Sequence, residues 1–340
     1  MALDKKAAEL LSRGWYKERL EEGECEYLLS FRDRSPVANL AVALADRLNR
    51  RACTGISQIC AAIAVATGPC PCDCGFCRYG ESRTKAKFYD VPDAQLSRWI
   101  QEIEAFADVR QIMLMTTGDA DLNGLTHCIG LVKDAAPAGT QIILDTRDLQ
   151  PEECRELKKA GATGARHARR IGEGQDTRLK ATDRLQTIDN LVCAGFAVTA
   201  GIEPLGPEHT PAEISQAFYE ILDRRCCHAD VTARVPVVGT KFNAQGELNP
   251  ARLTQIKAIL TLASSWYNQP IREAFSGTFV TGTNMATVWY GDEGIADAPK
   301  QNMTENARRR LFNAGYDRLL RPDGNVTELD LGYLKRTGSV

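Results

Sequence analysis

The chain has 340 residues, 44% of them hydrophobic and 25% charged, with 42 basic against 44 acidic side chains and a formal net charge of −2. That size and apolar share allow a large packed core, in one large α/β domain or two smaller ones. The near-neutral balance lacks the basic footprint that nucleic acid or an anionic membrane surface attracts, and no uninterrupted apolar run approaches the ~20 residues of a membrane span.

The first stretch, "MALDKKAAELLSRGWYKERL", is charged and helical in pattern, with no apolar core of a signal peptide, so a cytoplasmic protein is expected. Three amphipathic helices are predicted near 3–13, 16–30 and 36–49. An alternation of strands and helices then begins. Strands are predicted at 56–67 ("ISQICAAIAVAT"), 111–117, 141–146, 163–168, 197–204, 229–238, weakly at 270–275 ("PIREAF"), and at 285–291. Helices fall between them, including 93–106, 151–161, 184–195, 211–225 and 250–263. Two helices run into an Ala-Gly pair, at Gly161 and Gly195, as helix C-termini do. This rhythm predicts parallel strands joined by crossover helices. Eight of them make an α/β fold of the (β/α)8 TIM-barrel type with an N-terminal helical extension. The weak seventh strand leaves an open doubly wound sheet as the alternative. The expected organisation is an extension over 1–50, a barrel over 51–318 and a tail over 319–340.

The chain carries 12 cysteines, which a reducing compartment keeps out of a disulfide framework. Cys25, Cys53, Cys60, Cys128, Cys154 and Cys193 are scattered and read most simply as small buried hydrophobes. The adjacent Cys226 and Cys227 have no third ligand nearby. The segment "TGPCPCDCGFCRYG" (67–80) differs, because it packs Cys70, Cys72, Cys74 and Cys77 together just after the first strand. In a barrel that is the C-terminal end, where chemistry is built. Soft thiolates select zinc, copper(I) or iron–sulfur clusters. A structural zinc usually takes two separated C-x2-C pairs, and no second pair and no H-x3-5-H exists here. Cys70, Cys74 and Cys77 form C-x3-C-x2-C, with Cys72 interleaved. Three thiolates on a [4Fe–4S] cubane leave the fourth iron open to another ligand.

At these residues the chain resembles the radical S-adenosylmethionine superfamily, whose signature is C-x3-C-x2-C with an aromatic residue, here Phe76, before the last cysteine. The resemblance implies a [4Fe–4S] cluster on Cys70, Cys74 and Cys77, with S-adenosylmethionine bound at the open iron. It also implies an external electron donor such as flavodoxin or ferredoxin. Further along, "TTGDAD" (116–121) matches the family's strand-two turn, which meets the methionine amino group. Thr117, Gly118 and Asp119 stand at the matching positions, with Asp in place of the family's Glu. "RHARRIGEG" (166–174) and "DRLQTI" (183–188) match segments that contact the methionine moiety and ribose, which makes Glu173 and Arg184 cosubstrate candidates. A solvated turn and a helix-start arginine are their plain alternatives. "AGIEPLGPEHT" (200–210) fills the place of a strand-five motif, with Glu203 and Gly206 as landmarks, and "VPVVGTKF" (235–242) resembles the strand-six segment.

The leading helices and the apparent full barrel are similar to the branch of biotin synthase, the diiron-hydrogenase maturase and methylornithine synthase. Biotin synthase's second cluster takes cysteines on the second, third and fifth barrel strands and a late arginine. The corresponding strands here hold no cysteine, and the arginine is missing near Thr278. A sulfur-inserting relative would need an auxiliary cluster on Cys25, Cys53, Cys60 or Cys226–Cys227, and that alternative stays open. So does a non-catalytic iron–sulfur or zinc protein. Asp145, Arg147, His167, Glu203 and Arg234 are the polar strand residues expected to face a small polar substrate, though strand alternation could turn any of them outward. His209 reads as the approach to a helix start. The reaction expected is hydrogen abstraction by a 5′-deoxyadenosyl radical from a small metabolite or cofactor precursor, followed by rearrangement or fragmentation.

Overall fold

The computed structural model describes residues 3–105, 107–224, 226–267, 271–272, 284–291 and 303–329. The opening helices are α1 (Lys5–Trp15), α2 (Glu22–Leu29) and α3 (Pro36–Ala52). The first strand is β1 (Ile56–Thr67), followed by a short β2 (Tyr89–Asp90) that pairs antiparallel with its end. The repeating units follow: α4 (Asp93–Glu104), β3 (Val109–Thr116), α5 (Leu122–Ala135), β4 (Gln141–Asp145), α6 (Pro151–Ala160), β5 (Gly164–Arg169), α7 (Ala181–Cys193), β6 (Ala197–Leu205), α8 (Pro211–Leu222), β7 (His228–Ala233) and α9 (Pro250–Ser264). β8 (Ile271–Arg272), β9 (Met285–Tyr290), α10 (Met303–Asn313), β10 (Arg318–Leu320) and β11 (Val326–Glu328) complete the chain.

The sheet runs β1-β3-β4-β5-β6-β7-β8 through parallel pairs, and β9 returns to pair in parallel with β1. Eight parallel strands with interleaved helices therefore curl into a TIM-like sheet, as the rhythm of the sequence implies. The seam between β8 and β9 borders residues outside the described set, which also contain the position near Thr278. Residues 318 and 319, at the edge of the expected tail, pair in parallel with β1 at Ile56 and Ser57, and β10 and β11 form a hairpin.

Local chemistry explains most boundaries. Proline at the first turn and a side-chain or box cap start α3, α6, α8 and α9. Two boundaries move most: α2 begins at Glu22 rather than near 16, and β7, which the apolar run predicts to reach residue 238, stops at Ala233. Pro236 has no N–H for the ladder and restricts Val235 before it. Val235 and Val238 end up solvent-exposed.

The opening helices lie outside the sheet against α8 and α9. Ser265 donates to the Gly14 carbonyl (2.7 Å), Gln255 Nε2 to that of Phe31 (2.7 Å) and Ser215 to that of Glu22 (2.8 Å). A Cβ on Gly14 would stand 2.9 Å from Leu262 Cβ, so the α1–α9 approach needs glycine.

Inside the curl, side chains lie in layers. At the N-terminal end Gln111 donates to Gln141 (2.8 Å) and lies 3.5 Å from Gln58. Above it Cys60, Ala62, Met113 and Met285 form a small apolar plug with Met115, Ile143 and Trp289. The C-terminal layer above that plug is charged and opens into a cavity.

Candidate active site

The cavity has a volume of about 360 Å³ and lies at the C-terminal ends of the strands. Its wall brings together Cys70, Cys72, Cys74, Phe76 and Cys77 from the loop after β1, Thr117 and Gly118 from the turn after β3, and Asp145, Arg147, Arg166, Arg170, Arg184 and Glu203 from the next strands and the loop and helix after β5. Most of the residues singled out from the sequence thus meet in one place, including all three residues of C-x3-C-x2-C.

The cysteine loop is held rigidly from behind. Arg83 donates to the carbonyls of Asp73 (3.0 Å) and Cys74 (2.9 Å). The Gly75 N–H donates to the Asp176 carbonyl (2.7 Å), while Thr177 Oγ1 and the Arg178 N–H both donate to the Cys72 carbonyl (2.9 Å each). A Cβ on Gly75 would lie 2.9 Å from the Phe242 ring, so the loop seats directly on that ring. On the cavity side, the Gly118 N–H donates to Cys70 Sγ (3.3 Å) and the Tyr79 N–H to Cys77 Sγ (3.4 Å). Cys74 is buried, with its sulfur 3.2 Å from Thr177 Oγ1. The Cys72 thiol hydrogen-bonds to Cys70 and lowers its pKa to about 6 against the opposing effect of burial, with the Gly118 N–H helping. Burial pushes Cys77 upward.

Among the described residues, no three His, Cys, Asp or Glu side chains converge on one point as a single metal ion requires. The loop thiols instead stand round a cavity wall, and an all-thiolate donor set of this kind suits an iron–sulfur cluster. Gly118 makes the fit sensitive, because a Cβ there would sit 2.5 Å from Cys72 Sγ and 3.2 Å from Cys70 Sγ. Gly118→Ala should therefore displace Cys72 and crowd Cys70, lowering the iron content of reconstituted protein, measured by metal analysis. Full iron content in that variant would mean that the loop is free to move.

Facing the thiols is a network that the sequence reading missed. Arg166 is buried on β5 and donates from Nε to Asp230 on β7 (2.6 Å), from NH1 to Asp145 on β4 (3.0 Å) and from NH2 to Glu203 on β6. Burial opposes its charge, but the three carboxylates hold it well above the ordinary arginine value. Burial raises Asp230, whereas at Glu203 burial is outweighed by the combined charges of Arg166, Arg170 and Arg184 and the Arg166 hydrogen bond, which lower it. Gly201, level with Asp230 in the β6–β7 register, leaves room for that carboxylate. Arg170 lies beyond β5 with its guanidinium 3.9 Å from Glu203 and 5.9 Å from the Phe76 ring centroid.

Several expected lumen residues stand elsewhere. His167 alternates with Arg166 and is turned away from the cavity; its Nε2 lies 3.0 Å from Asp148, which also accepts from Arg184 NH1 (3.0 Å). Arg234 pairs with Glu208 (NH2 to Oε2, 2.9 Å) and lies 4.9 Å over Phe242, behind the cysteine loop. The Glu173 carboxylate is buried outside the cavity, accepting from Arg169 NH1 (2.7 Å) and the Arg170 N–H (2.8 Å). It orders the 170–178 turn that grips Cys72 and Gly75. Arg147 lines the rim, with its guanidinium engaged by Glu153 (2.8 Å). Asp119 is exposed, its carboxylate accepting from Thr117 (2.9 Å). Arg184 is buried at the cavity wall and also donates to the Ala168 carbonyl (3.0 Å). His209 does precede a helix start, with Nδ1 accepting from the Gly206 N–H (2.9 Å).

His167 gives a pH signature. Burial, reinforced by the Arg184 charge, lowers it from 6.5 to about 3 although Asp148 partly opposes this. The folded state therefore binds fewer protons than the unfolded chain between those values. Its contribution to stability is complete above pH 6.5 and is lost as pH falls toward 3, with a slope of at most about 1.4 kcal/mol per pH unit. Urea unfolding across pH 4–7 should show a shallower acid loss in His167→Gln than in the parent; equal slopes would rule out this contribution.

No family model matches the chain. Biotin synthase of Cytophaga hutchinsonii is 25% identical over 282 residues, spanning 75% of this chain and 79% of that protein. Biotin synthase of Novosphingobium aromaticivorans is 23% identical over 300 residues, 84% of this chain and 78% of the relative. The crystal structure of methylornithine synthase (PylB) superposes with a TM-score of 0.77 over 90% of this chain and 96% of that one, at 14% identity. That of the FeFe-hydrogenase maturase HydG from Carboxydothermus hydrogenoformans gives 0.75 over 92% and 79%, at 11% identity. The structural likenesses establish a shared fold, and the sequence likeness to biotin synthases runs through the cysteine-bearing barrel. The sequence likeness to biotin synthases and the fold shared with PylB and HydG both support the resemblance to the radical S-adenosylmethionine superfamily that the cysteine loop carries.

Proposed function

We propose that this enzyme uses S-adenosylmethionine to abstract hydrogen from a small polar metabolite or cofactor precursor held in the strand-end cavity, which then rearranges or fragments. The observation that carries the reading is the cavity itself, where the thiols of one loop face a built-in array of buried charges. Its volume of about 360 Å³ is in the range of small-molecule sites. A cluster held by Cys70, Cys74 and Cys77 would supply the one-electron reduction of the S-adenosylmethionine sulfonium.

The chain's own residues provide the rest. Cys70, Cys74 and Cys77 hold the cluster, and the Thr117–Asp119 turn receives the methionine amino group. Arg184 lies on the same wall and faces the methionine or ribose end. Asp145 and Glu203, fixed by Arg166, present carboxylate oxygens to donors on the substrate, and Arg170 presents a cation to an acidic group. Met115, Phe76, Leu179 and Trp289 enclose the site with apolar surface. Such enclosure matters because a primary carbon radical attacks almost any C–H bond within reach. Within this reading His167, Glu173 and Arg234 position the cysteine loop and the strand ends and touch no substrate. The barrel of 51–318 is the catalytic unit and residues 1–50 its extension, with an external donor such as flavodoxin or ferredoxin reducing the cluster.

Sulfur insertion is the second reading, favoured by the biotin synthase relatives. It needs a second cluster, and the candidate cysteines sit on separate elements. Cys25 is buried in α2, Cys53 caps α3, Cys60 belongs to the apolar plug, and Cys226 and Cys227 precede β7. The test is anaerobic turnover with deuterated candidate metabolites, followed by mass spectrometry of 5′-deoxyadenosine. Deuterium transferred from a small polar compound supports the proposal. Transfer only from a peptide or a protein-bound acyl chain would overturn it.

A further inference from the structure

We propose that Cys72 is a displaceable fourth thiolate of the cluster, occupying the iron left open by Cys70, Cys74 and Cys77 until the methionine end of S-adenosylmethionine takes its place. This rests on the functional reading above and adds a role for a residue outside the three-cysteine pattern.

Three observations carry it. First, Cys72 is not folded away as a filler, as Cys25 and Cys154 are; it lines the same cavity as the three expected ligands. Second, its sulfur lies against Gly118, only 2.5 Å from where a Cβ would stand. That is the turn after β3 where the methionine amino group is received, so thiol and cosubstrate compete for one place. Third, its backbone is fixed while its thiol meets Cys70 through a single hydrogen bond. The Cys72 carbonyl accepts from Thr177 Oγ1 and the Arg178 N–H at 2.9 Å each, so rotation about one side-chain bond is the motion required. Thiolate is the better iron ligand while cosubstrate is absent, but an amino and a carboxylate group acting together compete as a chelate.

The exchange balances without outside reagents. The iron–sulfur bond to Cys72 breaks, and bonds to the amino nitrogen and carboxylate of methionine form. The α-ammonium sheds one proton to free its lone pair, and the departing thiolate takes up one. No electron moves. Before cosubstrate arrives, the thiolate protects the iron that three-cysteine clusters lose most readily.

The test is oxidation of anaerobically reconstituted full-length protein with ferricyanide in the absence of S-adenosylmethionine, followed by iron analysis and electron paramagnetic resonance. The parent should keep four irons, whereas Cys72→Ala and Cys72→Ser should fall to the paramagnetic three-iron form at least about tenfold faster, as expected when a ligand holds the iron about 90% of the time. Added S-adenosylmethionine should slow that loss in both variants, which also shows that they are folded. A parent that loses the fourth iron as fast as Cys72→Ala overturns this inference alone. A parent that assembles no four-iron cluster overturns both it and the proposed function.

Discussion

Alanine at Cys70, Cys74 or Cys77 is expected to abolish iron binding, while alanine at Cys72 leaves about four irons and four sulfides per chain after anaerobic reconstitution. In the proposed site each of the first three thiolates would hold one iron corner, and without any one of them that corner has lost its protein ligand. The loop around them does not depend on the cluster for its path. Arg83, Thr177 and the Gly75–Asp176 bond hold it through backbone atoms. The variants should therefore fold, with circular dichroism of the parent, and fail only in iron and sulfide content. If Cys72→Ala loses the cluster as completely as the others, the three-ligand assignment is wrong. A count near eight irons would point instead to an auxiliary cluster and to sulfur insertion.

Arg166→Met should be the most destabilising substitution in the barrel. The guanidinium stands between Asp145, Glu203 and Asp230, and Arg166 and Asp230 are almost fully buried. Removing the cation leaves three carboxylates facing one another in a poorly solvated layer. Breaking a buried ion pair by deleting one partner costs about 3–5 kcal/mol. The expected result is a fall of that size in urea unfolding at pH 7. Adding Asp230→Asn should recover part of it, because one stranded charge is then gone. Arg166→Lys should fall between, since a point charge cannot serve three carboxylates from one planar fork. Unchanged stability in Arg166→Met would mean that water or a shifted neighbour satisfies the acids.

How far the sequence could be read depended on which physical signal each part carried. β1 falls on the predicted 56–67, because a long aliphatic run before a turn has one reading as a buried strand. β7 was overextended because valines continue past Pro236, and apolarity alone does not reveal that the ladder has lost a donor. The cysteine loop was legible from spacing, since ligand geometry is written locally. The Arg166 network was not. In "GARHAR" apolar and polar residues occupy both parities, so nothing in the strand says whether Arg166 or His167 faces inward. The choice is made by Asp145, Glu203 and Asp230, three acids on three other strands that meet only when the sheet curls. Glu173 and Arg234 were misplaced for a related reason. A motif match marks Glu173 for the cosubstrate and strand position marks Arg234 for the substrate pocket, but Glu173 accepts from Arg169 and the Arg170 N–H and Arg234 pairs with Glu208, both outside the cavity wall.

The most direct test of the enzyme's chemistry is mass spectrometry of reduced, cluster-loaded protein incubated anaerobically with S-adenosylmethionine alone. Formation of 5′-deoxyadenosine and methionine in equal amounts, dependent on reductant and lost with Cys74→Ala, is the expected result. Intact S-adenosylmethionine in the presence of a fully loaded and reduced cluster would contradict it.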